Sequence, residues 1–179
     1  MSILKVARMG HPVLRAKARA LSPADVRTAE FQKLVDNMIE TMVEYHGVGL
    51  AAPQVHEGVR VFVADLGARD EESSDPIAII NPEILSVGPE IVEDWEGCLS
   101  IPDIRGLVPR AREIKVRALD RTGERIELRA QNFSARVIQH ETDHLDGVLF
   151  FDRMKAFDSL TFLDEYARYW ARKDEDEAE

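Results

Sequence analysis

Apolar residues in the first third of the chain fall at helical spacing. Phe31, Leu34, Val35, Met38, Ile39, Met42 and Val43 repeat at i, i+3, i+4 and i+7, which predicts a long amphipathic helix with one buried stripe. Ser22-Pro23 supplies its start, with Pro near the first helical position, and Gly47 is placed to end it. The Met and Phe residues of the stripe read as core rather than as the lining of a cofactor pocket. After Gly47 the period drops to two. Residues 59–66, 77–80 and 84–92 read as strands, and 112–119 and 124–130 alternate around the turn Asp120-Arg121-Thr122-Gly123, a hairpin signal. Residues 67–76, with the run Glu71-Glu72-Ser73-Ser74-Asp75, read as a solvated loop. A second helix is expected over 133–145, closed by Gly147, and a last one over 159–172 with Leu160, Leu163, Ala167 and Trp170 along one side.

Composition narrows the picture. With 179 residues, 45% of them apolar and 31% charged, the chain suits one well-buried domain. A net charge of −10 opposes binding to nucleic acid or to an anionic membrane, both of which need cations against phosphates. No stretch approaches the roughly 20 apolar residues of a membrane span, and Lys5, Arg8 and His11 interrupt any signal-peptide core. Cys98, the single cysteine, rules out an intrachain disulfide and fits a reducing, cytoplasmic location.

The candidate chemistry begins at Gln139-His140-Glu141-Thr142-Asp143-His144. On a helix, His140 and His144 share a face one turn apart and can grip one ion, while Glu141 reaches a water beside it. The bland alternative is a surface helix with two solvated His. A catalytic site of this kind usually takes three protein ligands and keeps one position open. Cys98, in Glu96-Gly97-Cys98-Leu99-Ser100, is the candidate third ligand. A lone Cys is often a small buried hydrophobe, but Gly97 permits close backbone approach, and Glu96 and Ser100 are not core neighbours. One Cys with two His suits Zn, Fe(II), Co or Ni rather than Mg or Ca. A third segment, Gly47-Val48-Gly49-Leu50-Ala51-Ala52-Pro53-Gln54, follows a helix and lacks the third Gly of a dinucleotide fingerprint. Its Gln54 can donate an amide N–H to a developing oxyanion, or be simply a surface amide. The expected fold is α+β: a single domain over residues 1–173, mostly antiparallel strands around a central metal-bearing helix, with an N-terminal amphipathic helix and a C-terminal helix. Residues 174–179 form an acidic tail expected to be disordered.

In order and spacing these three segments closely resemble the signature motifs of the peptide deformylase family. Met9-Gly10-His11-Pro12-Val13-Leu14 and the stretch from Pro102 to Pro109-Arg110 resemble its flanks, so the likeness extends to about Phe151. The resemblance implies a metal-dependent hydrolase that removes the formyl group from N-formylmethionine at the start of new proteins. It implies Cys98, His140 and His144 as ligands of one divalent ion, Fe(2+) in many members with Zn, Ni or Co as substitutes. Glu141 would be the general base and then acid, and Gln54 with the backbone N–H of Leu99 would meet the oxyanion. Val48, Gly49, Gly97, Arg105 and Val137 would bind the substrate, in extended form along the chain, with Val48, Val137 and His140 around the methionine side chain. Partners implied are N-formylmethionyl peptides and nascent chains, with no direct nucleic-acid or membrane contact.

Some positions depart from that pattern. Arg136 stands where better-known members carry an apolar residue, so its stem would line the methionine pocket while its guanidinium reaches water. Glu96 is expected to fix the motif loop, and Asp143 either pairs with Arg110 or is an exposed helical acid. Some relatives dock on the ribosome through a basic tail, which an acidic tail would not do. Two other readings stay open. An H-E-x-x-H metallopeptidase usually takes a third ligand from downstream, but no His follows His144. A catalytically inactive metal-binding relative is opposed by the presence of Cys98, Glu141 and Gln54.

Overall fold

The computed structural model describes residues 2–67 and 75–171. Where one helix is expected after Ser22, the chain makes two. Ser22 Oγ accepts from the Asp25 N–H and the Asp25 carboxylate accepts from the Ser22 N–H, a capping box that starts α1 (Pro23–Val26). Thr28 then caps α2 (Ala29–Glu44), its hydroxyl accepting from the Phe31 N–H at 3.2 Å. At the other end His46, not Gly47, takes the left-handed conformation with φ 54°. The Gly47 N–H follows by donating to Met42 O at 2.8 Å. Met38 and Met42 are core, as the spacing implies, whereas Val43 at the margin of the stripe is exposed. Asn37 and Thr41 occupy its buried side instead and accept from the Ser2 and Leu4 N–H groups, pinning the N-terminal segment to α2.

Two antiparallel sheets follow. The larger has the order β1 (Gly49–Ala51), β2 (Val61–Ala64), β3 (Ile77–Val87), β6 (Glu113–Leu119), β7 (Arg125–Gln131). Phe62 and Ala64 of β2 pack into the core shared with α3 (Asn132–Leu145), while Val61 and Val63 pack into the core shared with α2. With both faces covered, β2 is apolar without alternation. The β6–β7 hairpin and α3 form where the sequence places them, and Gly147, φ 75°, closes α3.

The strand expected to break at Asn81-Pro82 instead runs through it. Asn81 adopts φ 51° at a register shift, and its side chain bonds the Leu21 N–H and C=O in place of a neighbouring strand. The next strand, β4 (Ile91–Cys98), therefore starts later than the expected 84–92. It pairs with β5 (Ile101–Ala111), which Pro102 and Pro109 conceal from a reading based on alternation. A short β8 (Thr161–Phe162) completes this second sheet in the order β4-β5-β8.

The last helix is also shorter than expected. β8 occupies part of the 159–172 span, leaving α4 (Leu163–Tyr169), which buries no residue of its own. Leu160 and Leu163 stay exposed; contact is made by Tyr166 and Trp170, whose rings lie 4.9 and 5.5 Å from that of Trp95 on β4. The acidic tail and most of the expected 67–76 loop lie outside the described residues. Within those residues no helix is long and apolar enough to cross a membrane. α3 touches β1, β2, β6 and β7 of one sheet and β5 of the other, so the tip of the β4–β5 hairpin is brought against its polar face.

Candidate metal centre and substrate cavity

Cys98 closes β4 at the hairpin tip, and His140 and His144 project from α3 with ring centroids 4.9 Å apart. One donor atom from each of the three lies within 4.8 Å of the others, with Cys98 Sγ 3.3 Å from His144 Nε2. Cys98 is thus no core hydrophobe and the imidazoles are not solvated; the residues inferred as ligands are brought together. Their chemistry fits a borderline-soft divalent ion. Glu96 strengthens the fit. Its Oε2 lies 2.8 Å from His140 Nδ1, and an ionised carboxylate only accepts, so Nδ1 carries the proton and Nε2 keeps its lone pair for an ion.

Glu96 is buried and ionised. Burial opposes the charge, but hydrogen bonds from His140 and Arg110 overcome it and hold the carboxyl far below the usual range. Arg110 donates to both Glu96 oxygens, at 3.0 and 3.1 Å, and to Asp143 at 2.5 Å. Asp143 also receives Arg153, so the paired arrangement holds and the exposed one does not. Arg136 corrects an expectation. Its guanidinium does not reach water: it is buried, donating to Glu96 Oε1 at 2.7 Å, Val108 O at 2.8 Å and Val92 O at 2.7 Å.

Glu141 lies beside the ligands, 4% exposed, with Oε2 lacking a hydrogen-bond partner among the described residues. Burial pushes its carboxyl up to about 7, a proton affinity suited to exchange near neutrality. Gly49 makes room for it: a Cβ at that position would sit 2.7 Å from Glu141 Cδ and 2.9 Å from Cγ. The Gly49→Ala variant is therefore expected to displace the carboxylate and to lower kcat about a hundredfold, with metal content unchanged. Metal analysis beside steady-state kinetics checks this. Gln54 is no surface amide. At 2% exposure, its Oε1 accepts from the Ala51 N–H and its Nε2 points toward Cys98 Sγ at 3.4 Å and Ser100 Oγ at 3.2 Å.

A cavity of about 900 Å³ opens over this cluster. Val48, Gly49, Gln54, Gly97, Cys98, Leu99, Arg105, Val137, His140 and Glu141 all line it, so every inferred substrate-binding residue faces one space. His144 lies beneath, 1% exposed. Phe133, Trp95, Tyr45 and Leu163 also line it and were not foreseen. Only Phe133 left a signal: it precedes Val137 and His140 at helical spacing on the same face.

A cysteine sulfur and two imidazoles beside a buried carboxylate, beneath an open groove, define the class of mononuclear metal hydrolases. Comparison with known proteins narrows the class. Residues 3–159 match the family model described as polypeptide deformylase. The chain is 41% identical over 168 residues to peptide deformylase 2 of Nostoc sp., covering 92% of this chain and 93% of that protein. It is 46% identical over 145 residues to the peptide deformylase of Thermotoga maritima, covering 81% and 83%. The crystal structure of peptide deformylase from Thermotoga maritima superposes with a TM-score of 0.79 at 42% identity, covering 86% of this chain and 99% of that one. The Met-Ala-Ser-bound class I type b enzyme from Acinetobacter baumannii gives 0.80 at 40%, covering 85% and 98%. The chain belongs to the peptide deformylase family and is a metal-dependent deformylating enzyme.

Proposed function

We propose that this enzyme hydrolyses the formyl amide of N-formylmethionyl peptides and nascent chains in the cytoplasm, with Cys98, His140 and His144 holding Fe(2+). The observation that carries this reading is the buried Glu141 oxygen, without a hydrogen-bond partner among the described residues, beside the Cys98–His140–His144 cluster and in the groove that Cys98, His140 and Glu141 line. When bound, the ion supplies a Lewis acid that makes water acidic enough to lose a proton near neutral pH and polarises the formyl oxygen. Glu141 would take a proton from water as the water oxygen bonds to the formyl carbon, and return it to the methionine nitrogen as the C–N bond breaks, giving formate and a free amine. The Gln54 amide and the Leu99 N–H receive the charge that develops on the formyl oxygen. The peptide lies extended along Val48, Gly49, Gly97 and Arg105, and its methionine side chain fills the space by Val48, Val137 and His140. The Acinetobacter baumannii relative, bound to Met-Ala-Ser, supports this class of occupant.

The test is formate release from formyl-Met-Ala-Ser by protein prepared without air, with metal analysis of the same sample. One iron per chain and rapid release are expected, with activity lost in air as iron and thiolate oxidise. The Cys98→Ser variant should lose most of its metal. Cleavage of casein without formate release would favour an endopeptidase instead, and normal metal content in Cys98→Ser would remove Cys98 from the ligand set.

A further inference from the structure

Arg136 is a departure from the apolar residue expected in the cavity wall, and the contacts of its guanidinium explain what a cation does there. It lies on α3 one turn before His140. Its two terminal nitrogens donate to three acceptors on the other sheet: Val92 O and Glu96 Oε1 on β4, and Val108 O on β5. Every one of these bonds crosses from the helix that carries His140 and His144 to the hairpin that carries Cys98. Glu96 accepts four: two from Arg110, one from Arg136 and one from His140. Arg136 Nη1, at 2.7 Å, shares Oε1 with Arg110 and ties the carboxylate to α3 itself, with Oε2 left facing His140 Nδ1 at 2.8 Å.

We infer that Arg136 is a positioning residue, acting through Glu96 to hold His140 in its metal-binding orientation and to keep the Cys98 hairpin in register with α3. This rests on the ligand set proposed above. A planar fork holds its donors at fixed, spread positions that match two backbone carbonyls and a carboxylate, whereas an ammonium offers all its donors from one point. Outer partners of a ligating His commonly govern metal affinity by ten- to a hundredfold. The same side chain lines the cavity, so its stem can shape the floor while its head secures the ligand.

The test measures how fast a chelator strips metal from purified holoenzyme, with thermal unfolding of the metal-free proteins alongside. For Arg136→Met, metal loss is expected about ten to a hundred times faster than in the native enzyme, and Arg136→Lys should recover only part of the difference. Arg60→Met is the comparison, because Arg60 bonds Leu145 O and Asp146 at the far end of α3 without touching Glu96. It should lower the unfolding temperature and leave metal retention within twofold. If Arg136→Met retains metal like the native enzyme, or Arg60→Met loses it equally fast, Arg136 is merely a strap and the inference falls. Should Arg136→Met fail to fold, the Lys variant decides: native metal retention overturns the inference, and accelerated loss supports it. A native enzyme that binds no metal would instead overturn the ligand set itself.

Discussion

Glu141→Gln is expected to lower kcat for formate release about a thousandfold, while metal content and unfolding temperature stay at or above native values. The size of the loss follows from removing the proton carrier beside the proposed ligands, a role that contributes about 10² to 10⁴ in rate. Retention of the fold follows from the geometry. Glu141 Oε2 is buried without a hydrogen-bond partner among the described residues, and burial is the first cause of its raised proton affinity. A neutral amide of the same shape carries no charge to bury, so the larger desolvation cost of a carboxylate is removed and the cavity keeps its volume. Metal retention follows because Glu141 is not one of the three converging donors. Steady-state formate release, metal analysis and a thermal melt on one preparation check all three parts. Activity above a tenth of native would remove Glu141 from its role, and loss of the metal would make it a ligand instead.

The chemistry of this chain was more legible in its sequence than the packing around it. His140 and His144 declare themselves because helical spacing alone puts them on one face, and α3 forms where that spacing predicts. The flanks of Cys98 mark it as a candidate ligand and the resemblance assigns it, since nothing local says that β4 ends against α3. β5 went unseen because Pro102 and Pro109 lie inside it, and a strand whose pairing absorbs two prolines gives no alternating signal. Asn81 misled in the same way, looking like a turn while serving as a bulge bonded to Leu21. The end of α2 was assigned to Gly47, yet His46 makes the reversal, because a left-handed cap tolerates residues other than glycine at modest cost. Of the ion network, only the Asp143–Arg110 pair and a supporting role for Glu96 are legible beforehand; that Glu96 also accepts from Arg136 and His140 emerges once the hairpin folds onto the helix.

That network carries the second large effect. Arg110→Met is expected to destabilise the protein by about 3–5 kcal/mol, because it strands Glu96 and Asp143 in the interior with one cation fewer. Arg110 is 5% exposed and bonds both acids, so water cannot replace it. For a chain of this size the loss corresponds to roughly 10 °C in the unfolding midpoint. Lys115→Met makes the contrast: its pair with Glu127 lies at the surface, both side chains more than a third exposed, and such pairs are worth about 0–1 kcal/mol. A third variant separates lost attraction from stranded charge. Adding Asp143→Asn to Arg110→Met removes one of the two carboxylates left with a cation fewer, so the double variant should be more stable than Arg110→Met alone. Differential scanning calorimetry on the metal-free proteins reads all three. A double variant less stable than the single one would mean that Asp143 is held by Arg153 at 2.6 Å without needing Arg110, and that the penalty lies in lost attraction to Glu96 alone.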